Sequence, residues 1–467
     1  MTKQEKQICV GTALLLFVLR LPMLVPVYAS ADDLAHRYAP VFDDATVWRQ
    51  FAGQGRPLLA IVYVLLRWLG VHPVASSPAL AVLSVALFGV SAVLVARLWG
   101  LTERPLVAVL AASLVFMHPY QMDHWVFRFM PIFVALATPL WLLGLLWLRE
   151  GRLSGALLVV AAAAIYQTAL VQLLVVSLFG LCIALTRGEP KRAWLRATAA
   201  ALGAAAVWVV AWRVCSGLAG LAADKRFSLF PQPPLSERLE QLGWLISTTL
   251  ADERAFGAPL LQPVLLILLL MLLAALLLRR KPLAAASVVL AYGVAILIPL
   301  PLHTFWPAWR TLTPLCFFWA GVVAAMPGGK LRGAALGLAG VALLGFAGVS
   351  AHVFDDEVRA GQRDREVALI LRARFEALPS WDELHTAALL GSPAGYVDLQ
   401  TANFDQNISA LGISWAAVSL LRETWGRPLD EPTEAERALA AARCAGRPRW
   451  PMRESTLAEA GVAIVCF

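Results

Sequence analysis

Two adjacent aspartates, Asp32 and Asp33, begin a polar segment that also contains Arg37 and Arg56. This segment directly follows an apolar run at residues 8–28 that is long enough to cross a bilayer. A carboxylate can act as a general base, and a guanidinium matches phosphate oxygens in a bidentate fork. We predict that Asp33, with Asp32 as the alternative, takes a proton from a substrate hydroxyl, while Arg37 and Arg56 bind a phosphate. Adjacent helical residues point in different directions, so only one aspartate is expected to face substrate.

The same aspartates also fit a structural role. Ser30 followed by Asp33 forms a capping box, and carboxylates in a first helical turn suit the positive end of the helix dipole. Their position at the boundary of an apolar run, with arginines in the same loop, favours function, because charge beside a membrane span is usually functional.

A second short polar connection contains Asp123 and Arg128. An arginine on the outer side of a membrane runs against the positive-inside bias, so Arg128 needs an anionic partner. Either a phosphate or Asp123 would serve. We predict that Arg128 binds the same phosphate as Arg56.

Two more groups of polar and aromatic residues stand between apolar runs. Tyr166 and Gln167 form one, although such a pair can also satisfy backbone groups that a helix break leaves free. Trp306 and Arg310 belong to the other; tryptophans stack on sugar rings and also anchor helices at interfaces, so both interpretations stay open. Arg310 is a further candidate for the phosphate. The predicted substrate-binding residues are Asp123, Tyr166, Gln167, His303 and Trp306.

The composition defines the elements that must position these residues. Hydrophobic residues make up 59% of the 467 residues and charged residues only 15%, with a mean hydropathy of +0.69. These values predict an α-helical polytopic membrane protein of about eleven transmembrane helices. The predicted spans are residues 8–28, 78–98, 105–120, 130–148, 154–165, 168–186, 194–214, 258–278, 282–299, 311–326 and 334–350.

Basic clusters occur at every second connection between these runs, which explains the net charge of +8 without a nucleic-acid partner. The positive-inside rule then places the N-terminus in the cytoplasm and the loops 29–77 and 216–257 outside. The apolar segment 57–70 is too short to span, and we expect it to lie on the outer leaflet as an interfacial helix.

Residues 1–351 are therefore predicted to form the membrane domain, and residues 352–467 a small extracytoplasmic α/β domain. We expect helices at 355–378 and 435–442 and strands at 385–390 and 461–467. Cys444 and Cys466 could form a disulfide if this domain lies outside the cytoplasm. The cysteines show no metal-binding spacing, but acidic outer loops leave a divalent metal open.

The chain resembles the bacterial GtrII-type glucosyltransferases of the GT-C membrane class, which decorate O-antigen and related surface polymers. The resemblance lies in Asp32-Asp33 with Gly55-Arg56-Pro57-Leu58, in the segment 123–131, in Tyr166-Gln167 and in their order. It implies a donor sugar, glucose, carried on undecaprenyl phosphate, and a lipid-linked or polymeric glycan acceptor. It also implies a donor synthase and a donor flippase as functional partners, and a site on the periplasmic face of the bacterial inner membrane.

An inverting transfer with an aspartate base follows from this resemblance together with the charged outer face. Two alternatives use similar lipid-linked substrates: a polysaccharide polymerase or ligase, and a lipid or polysaccharide transporter. Transporters usually carry their charged residues near the middle of the bilayer, whereas here charge gathers at one outer face, which disfavours transport.

Overall fold

The structure is a computed structural model that describes residues 1–21, 30–38, 43–218, 233–250, 261–301, 304–391 and 409–467. It is mostly helical with one small sheet. The helices are α1 Lys3–Arg20, α2 Ala31–Tyr38, α3 Asp44–Gly53, α4 Pro57–Trp68, α5 Ser77–Leu98, α6 Pro105–Phe116, α7 Met122–Val126, α8 Met130–Arg149, α9 Gly155–Ile165, α10 Thr168–Arg187, α11 Lys191–Leu218, α12 Leu235–Leu250, α13 Leu261–Leu278, α14 Pro282–Ala295, α15 Pro314–Ala325, α16 Lys330–Glu376, α17 Ser414–Trp425 and α18 Glu434–Cys444.

Six helices in the described part of the chain are long and apolar enough to cross a membrane, and a bent helix pair at Pro105–Phe116 and Pro119–Val126 raises this number to seven. The helices α4, α9, α14 and α15 are apolar but shorter. The membrane class predicted from composition is therefore supported, while the total of eleven spans stays a prediction.

Proline and glycine define several helix ends. Pro57, Pro105, Pro282 and Pro314 each stand in the first turn of a helix, where the missing N–H would have no partner within the helix. Gly188 ends α10 in the left-handed conformation, with φ of 74°. Pro57 and Pro314 thus follow the loops that contain Arg56 and Arg310.

The chain forms two compact units. The first consists of Met1–Leu24, Val47–Trp125 and Met130–Ala351, and the second of Val25–Thr46, Val126–Phe129 and His352–Phe467. A single helix, α16, covers Lys330–Glu376. The sequence instead predicts a span ending at residue 350 and a separate helix from residue 355, so the helix break expected there is wrong.

The second unit contains a three-stranded sheet made of β1 Thr386–Leu390, β2 Thr456–Glu459 and β3 Val462–Cys466. The strand order is β1-β3-β2, and β3 is parallel to β1 and antiparallel to β2. The strands predicted at 385–390 and 461–467 are confirmed, and β2 is an addition. A disulfide joins Cys444 to Cys466, with their Cα atoms 5.5 Å apart.

The core of the second unit includes a residue from near the start of the chain. Leu34 of α2 is buried in one apolar cluster with Leu371 and Phe375 of α16 and with Leu421 and Trp425 of α17. Burying such side chains stabilises a fold by about 1.5–3 kcal/mol each. The helix that carries Asp32 and Asp33 is thus part of the C-terminal core.

Candidate active site

A cavity of about 350 Å³ lies in the first unit, a volume within the range of small-molecule sites. Side chains at helix ends and loops supply most of its polar lining, whereas α11 supplies aromatic rings. The described lining holds three arginines and no carboxylate. The lining residues are Gln54, Arg56, Tyr166, Gln167, Thr168, Leu170, Val171, Trp208, Val209, Trp212, Arg213, Leu297, Ile298, Pro301, Trp306, Arg310 and Thr311.

Arg56 precedes α4 and is oriented by two residues from the break between α9 and α10. Its Nε donates a hydrogen bond to Oε1 of Gln167 at 2.9 Å. The guanidinium carbon lies 4.9 Å from the centre of the Tyr166 ring, a cation–π contact. These neutral partners fix the arginine while it keeps its charge, which suits a group that must receive an anion.

Gly55 allows the chain to pass close to these side chains. Its φ of 79° lies in the left-handed region, and a Cβ here would stand 2.9 Å from Nε2 of Gln167 and 3.0 Å from Cε2 of Trp212. Nε2 of Gln167 also donates to the carbonyl of Gln54. Glycine is therefore required both by the turn and by the close approach.

Arg310 is held by the buried carboxylate of Asp123, which lies 187 residues earlier in the chain. Its backbone N–H donates to Oδ2 of Asp123 at 2.9 Å, and its Nη1 lies 3.1 Å from both carboxylate oxygens. Asp123 is fully buried, and its side chain is committed to this pair. The structure thus pairs Asp123 with Arg310, where the sequence left Arg128 or substrate open as its partner.

Further contacts support the Arg310 segment. The guanidinium stacks on Trp306, with its central carbon 4.4 Å from the ring centre. The carbonyl of Arg310 accepts from Oγ1 of Thr313, and Oγ1 in turn accepts from Nε2 of Gln172 on α10 at 3.1 Å. These bonds tie the arginine to the helix that begins at the cavity.

Tyr166 is positioned by a buried network that sequence reasoning missed. Nδ1 of His124 lies 3.0 Å from Oε1 of Gln121, and its Nε2 lies 2.8 Å from the Tyr166 hydroxyl. Since Oε1 can only accept, Nδ1 carries the proton, and Nε2 accepts from the hydroxyl. His124 therefore fixes the ring that lies against Arg56.

Helix α11 contributes a tryptophan pair to the cavity. Trp208 and Trp212 are four residues apart, so they share a helix face, and their rings stack with centres 5.8 Å apart. Nε1 of Trp212 donates to the carbonyl of Ala52 at 3.1 Å. Nε1 of Trp208 and Oγ1 of Thr168 have no hydrogen-bond partner among the described residues. Both atoms are buried.

Asp33 belongs to the second unit and is fully buried. Its Oδ2 accepts from the N–H and the hydroxyl of Ser30, at 3.0 and 2.8 Å, and from the N–H of Arg128 at 3.2 Å. The Asp33 N–H donates back to the Ser30 hydroxyl at 3.2 Å, which completes the capping box. Oδ1 has no hydrogen-bond partner within the described part of the chain.

The two oxygens of Asp33 therefore have different environments. One oxygen holds the start of α2, and the other remains available to take a proton. Burial raises the pKa of Asp33 to about 6, although the hydrogen bonds from Ser30 and Arg128 and the Arg128 charge act in the opposite direction. A carboxyl group with such a pKa is suited to proton transfer near neutral pH.

The remaining predicted residues have varied positions. Asp32 is half-buried beside Asp33, Arg37 is exposed near the end of α2, and Arg128 is buried. The contact between Arg128 and Asp33 uses the backbone N–H of Arg128, not its guanidinium. His303 lies outside the described residues.

No group of three histidine, cysteine, aspartate or glutamate residues in the described ranges is placed to hold a metal ion. The divalent metal that the sequence leaves open therefore has no ligand set in that part of the chain.

Three neighbouring cavity residues, Trp208, Trp212 and Arg213, escaped sequence reasoning. They lie near the end of a largely apolar run, where a tryptophan facing lipid and one facing a cavity look alike. The spacing of four residues between the tryptophans, with a charge directly after the second, is the signal that could have indicated them.

Apolar helices and an arginine-lined cavity define a helical membrane protein with a site suited to a phosphate-bearing ligand. Residues 21–326, well over half of the chain, match the family model described as Glucosyl transferase GtrII. The chain belongs to the GtrII glucosyltransferase family, as its motifs predict. It is thus a glycosyltransferase, which uses a sugar donor and a glycan acceptor. No curated protein and no solved structure matches the chain.

Proposed function

We propose that this protein transfers glucose from undecaprenyl phosphate, or a related polyprenyl phosphate, to a surface polysaccharide such as O-antigen. The observation that carries the proposal is the cavity in which Arg56 and Arg310 line the same space as Trp208 and Trp212. A lipid-linked sugar phosphate combines these needs, because it presents an anion, a sugar ring and a long apolar chain.

Arg56 and Arg310 bind the donor phosphate in this proposal. Guanidinium groups match phosphate oxygens and stay charged at any physiological pH. The leaving group of the transfer is the polyprenyl phosphate, on which negative charge increases as the glycosidic bond breaks. Arginines already fixed by Gln167 and Asp123 stabilise that charge without having to reorganise first.

The tryptophan pair and the apolar lining receive the sugar and the first isoprene units. Aromatic rings stack on the apolar faces of sugars. The polyprenyl chain is too long for the cavity and continues along the exposed apolar surface of α11, at Val207 and Val210. Such a surface is compatible with lipid contact.

Asp33 acts as the general base, with Asp32 as the alternative. It accepts the proton of the acceptor hydroxyl through Oδ1, while that hydroxyl oxygen bonds to the anomeric carbon and the phosphate leaves from the opposite side. The configuration at this carbon inverts in a single displacement of this kind. A GT-C-type enzyme of the inner membrane, acting on the periplasmic face, fits these roles.

Three features support this location. Polyprenyl-linked sugars supply glycosylation where nucleotide sugars are absent. The basic clusters at alternate connections favour a cytoplasmic N-terminus and thereby an outer position for the Asp33 segment. The disulfide between Cys444 and Cys466 suits an oxidising compartment.

The proposal is tested by transfer of radiolabelled glucose from synthetic undecaprenyl-phosphate glucose to purified surface polysaccharide. Arg56→Gln and Arg310→Gln each remove one charged contact to the phosphate. We expect kcat/KM to fall about 10- to 100-fold in each, because a hydrogen bond to a charged group contributes about 1.5–3 kcal/mol.

Arg67→Gln is the matched control, because Arg67 is on the same helix that Arg56 precedes but does not line the cavity. It should retain wild-type activity. The proposal is wrong if the wild type leaves the donor unused, or if all three variants transfer glucose equally. Passage of intact lipid-linked sugar across proteoliposomes without transfer would instead indicate a transporter.

A further inference from the structure

A second cavity in the first unit, of about 280 Å³, is lined by basic residues from four separate connections. Its polar lining has no carboxylate among the described residues. We call it the basic pocket and define it by Arg104, Arg187, Arg279, Lys281 and Arg332. None of these residues has a part in the proposed glucosyl transfer.

The basic pocket is assembled from helix ends. Arg104 precedes α6, Arg187 is the last residue of α10, and Lys281 precedes α14. Arg332 lies in the first turn of α16. By the positive-inside rule, which relates these same clusters to the cytoplasm, the pocket is at the level of the inner-leaflet head groups.

The alternative is that these five residues are ordinary surface charges, each of which points separately into solvent. Instead, Arg104 and Arg187 are close enough to Arg332 for their charges to repel it. Within the described structure, Arg187 is the only one of these five residues that forms an ion pair, and its partner is Glu189 at 3.5 Å. Like charges held together at one cavity have an electrostatic cost that a bound anion relieves.

The pocket also contains a guanidinium group of fixed orientation, that of Arg332. Nε and Nη2 of Arg332 donate to the carbonyl of Met326 at 3.2 and 3.0 Å, which orients the guanidinium. Gly328 has no side chain, and a Cβ there would lie 3.8 Å from Nη1 of Arg332. The remaining Nη1 makes no hydrogen bond to the described residues, and Arg332 and Gly328 both line the pocket.

We propose that the basic pocket binds a phosphate group, carried either by an anionic phospholipid or by a soluble phosphate compound. Basic pockets between transmembrane helices on the cytoplasmic side are suited to lipid head groups. A phosphate here would bridge the ends of α6, α10, α14 and α16 and so stabilise their packing. This site is separate from the donor cavity, since the two share no lining residue.

The test uses the full chain in detergent and counts bound lipid by native mass spectrometry. The probes are phosphatidylglycerol, the neutral lipid phosphatidylcholine and inorganic pyrophosphate. Wild type is compared with the double variant Arg104→Gln/Lys281→Gln. These two positions are chosen because the wild-type side chains of Arg104 and Lys281 make no hydrogen bond within the described structure. The control, Arg152→Gln/Arg192→Gln, removes two exposed charges from the same predicted side outside the pocket.

We expect phosphatidylglycerol to bind wild type and control equally and the double variant about 30-fold more weakly, since each basic residue near an anionic lipid contributes about fivefold. Phosphatidylcholine should show no such difference. If pyrophosphate, and not phosphatidylglycerol, shows the loss, the ligand is a soluble phosphate. Equal binding of both anions by wild type and double variant, or an equal loss in the control, would overturn the proposal.

Discussion

Asp33 has one oxygen occupied by the capping box and one with no hydrogen-bond partner among the described residues, and this division permits a structural and a chemical role together. A base must be ionised to accept a proton. Because burial raises the pKa of Asp33 to about 6, its carboxylate population falls as the pH drops below that value. Any catalytic step that depends on this group acquires the same pH dependence.

We therefore expect kcat/KM for glucosyl transfer to rise about tenfold per pH unit below a pH of about 6 and to level off above it. The measurement is a pH profile of the wild type with saturating acceptor. A profile without an inflection in this range would show that Asp33 is not the base.

Asp33→Asn should lower kcat by about 10²- to 10⁴-fold, since an amide cannot accept the proton. Ser30→Ala is the control, because it breaks the capping box but keeps the carboxylate. It should cost about 0.5–2 kcal/mol of stability and leave most of the activity. Equal loss of activity in both variants would mean that Asp33 acts through the helix cap alone.

Gly55 and Gly70 offer a comparison at matched backbone conformation, with φ of 79° and 76°. Alanine at either position would be strained by about 1–2 kcal/mol, because the backbone there is in the left-handed conformation. Only at Gly55 does the new Cβ meet Gln167 and Trp212, so Gly55→Ala should also displace Arg56 and raise KM for the donor several-fold. If Gly70→Ala raises KM equally, the close approach at Gly55 has no role in donor binding.

At the scale of elements, α2 depends on the C-terminal part of the chain. Leu34 is buried with residues of α16 and α17, which lie beyond the segment that matches the family. The C-terminal domain therefore supports the helix that carries the candidate base.

Leu34→Ala should destabilise the second unit by about 2–5 kcal/mol, the usual cost of deleting a buried leucine side chain. Limited proteolysis of the purified protein measures this change. Leu369→Ala, on the exposed side of α16, is the control and should change stability by less than about 0.5 kcal/mol. Equal cleavage rates in both variants would contradict the packing of α2 in this core.

Five residues that the sequence predicts as site residues line one cavity, and their binding roles stay predictions: Arg56, Tyr166, Gln167, Trp306 and Arg310. They stand at breaks between apolar runs, where a polar side chain is conspicuous. Which of them touch is a different matter, because pairing depends on tertiary structure.

Asp123 and Arg310 illustrate that limit, since they pair across 187 residues. Helix α16 illustrates a second limit. Its first half is apolar and its second half is charged, and this change in hydropathy predicts a helix boundary. The backbone nevertheless continues as one helix. Hydropathy reports the surroundings of a helix, not its ends.

At the scale of the whole molecule, the proposed function requires one orientation in the membrane, with the basic clusters in the cytoplasm and the disulfide outside it. We expect a membrane-impermeant maleimide to label Met452→Cys in intact spheroplasts and Leu278→Cys only after lysis. Both positions are exposed, and the background would carry Cys9→Ser and Cys215→Ser. Labelling of Leu278→Cys before lysis would reverse the orientation and place the basic pocket outside.

The most direct test of donor binding in the arginine-lined cavity is photocrosslinking with a polyprenyl-phosphate glucose that carries a photoreactive group on its first isoprene unit. Mass spectrometry of the purified full chain then locates the crosslink. The cavity predicts adducts on the peptide with Trp208 and Trp212, reduced by excess unmodified donor and by Arg56→Gln but not by Arg67→Gln. Adducts that avoid the cavity lining, or that unmodified donor does not reduce, would contradict it.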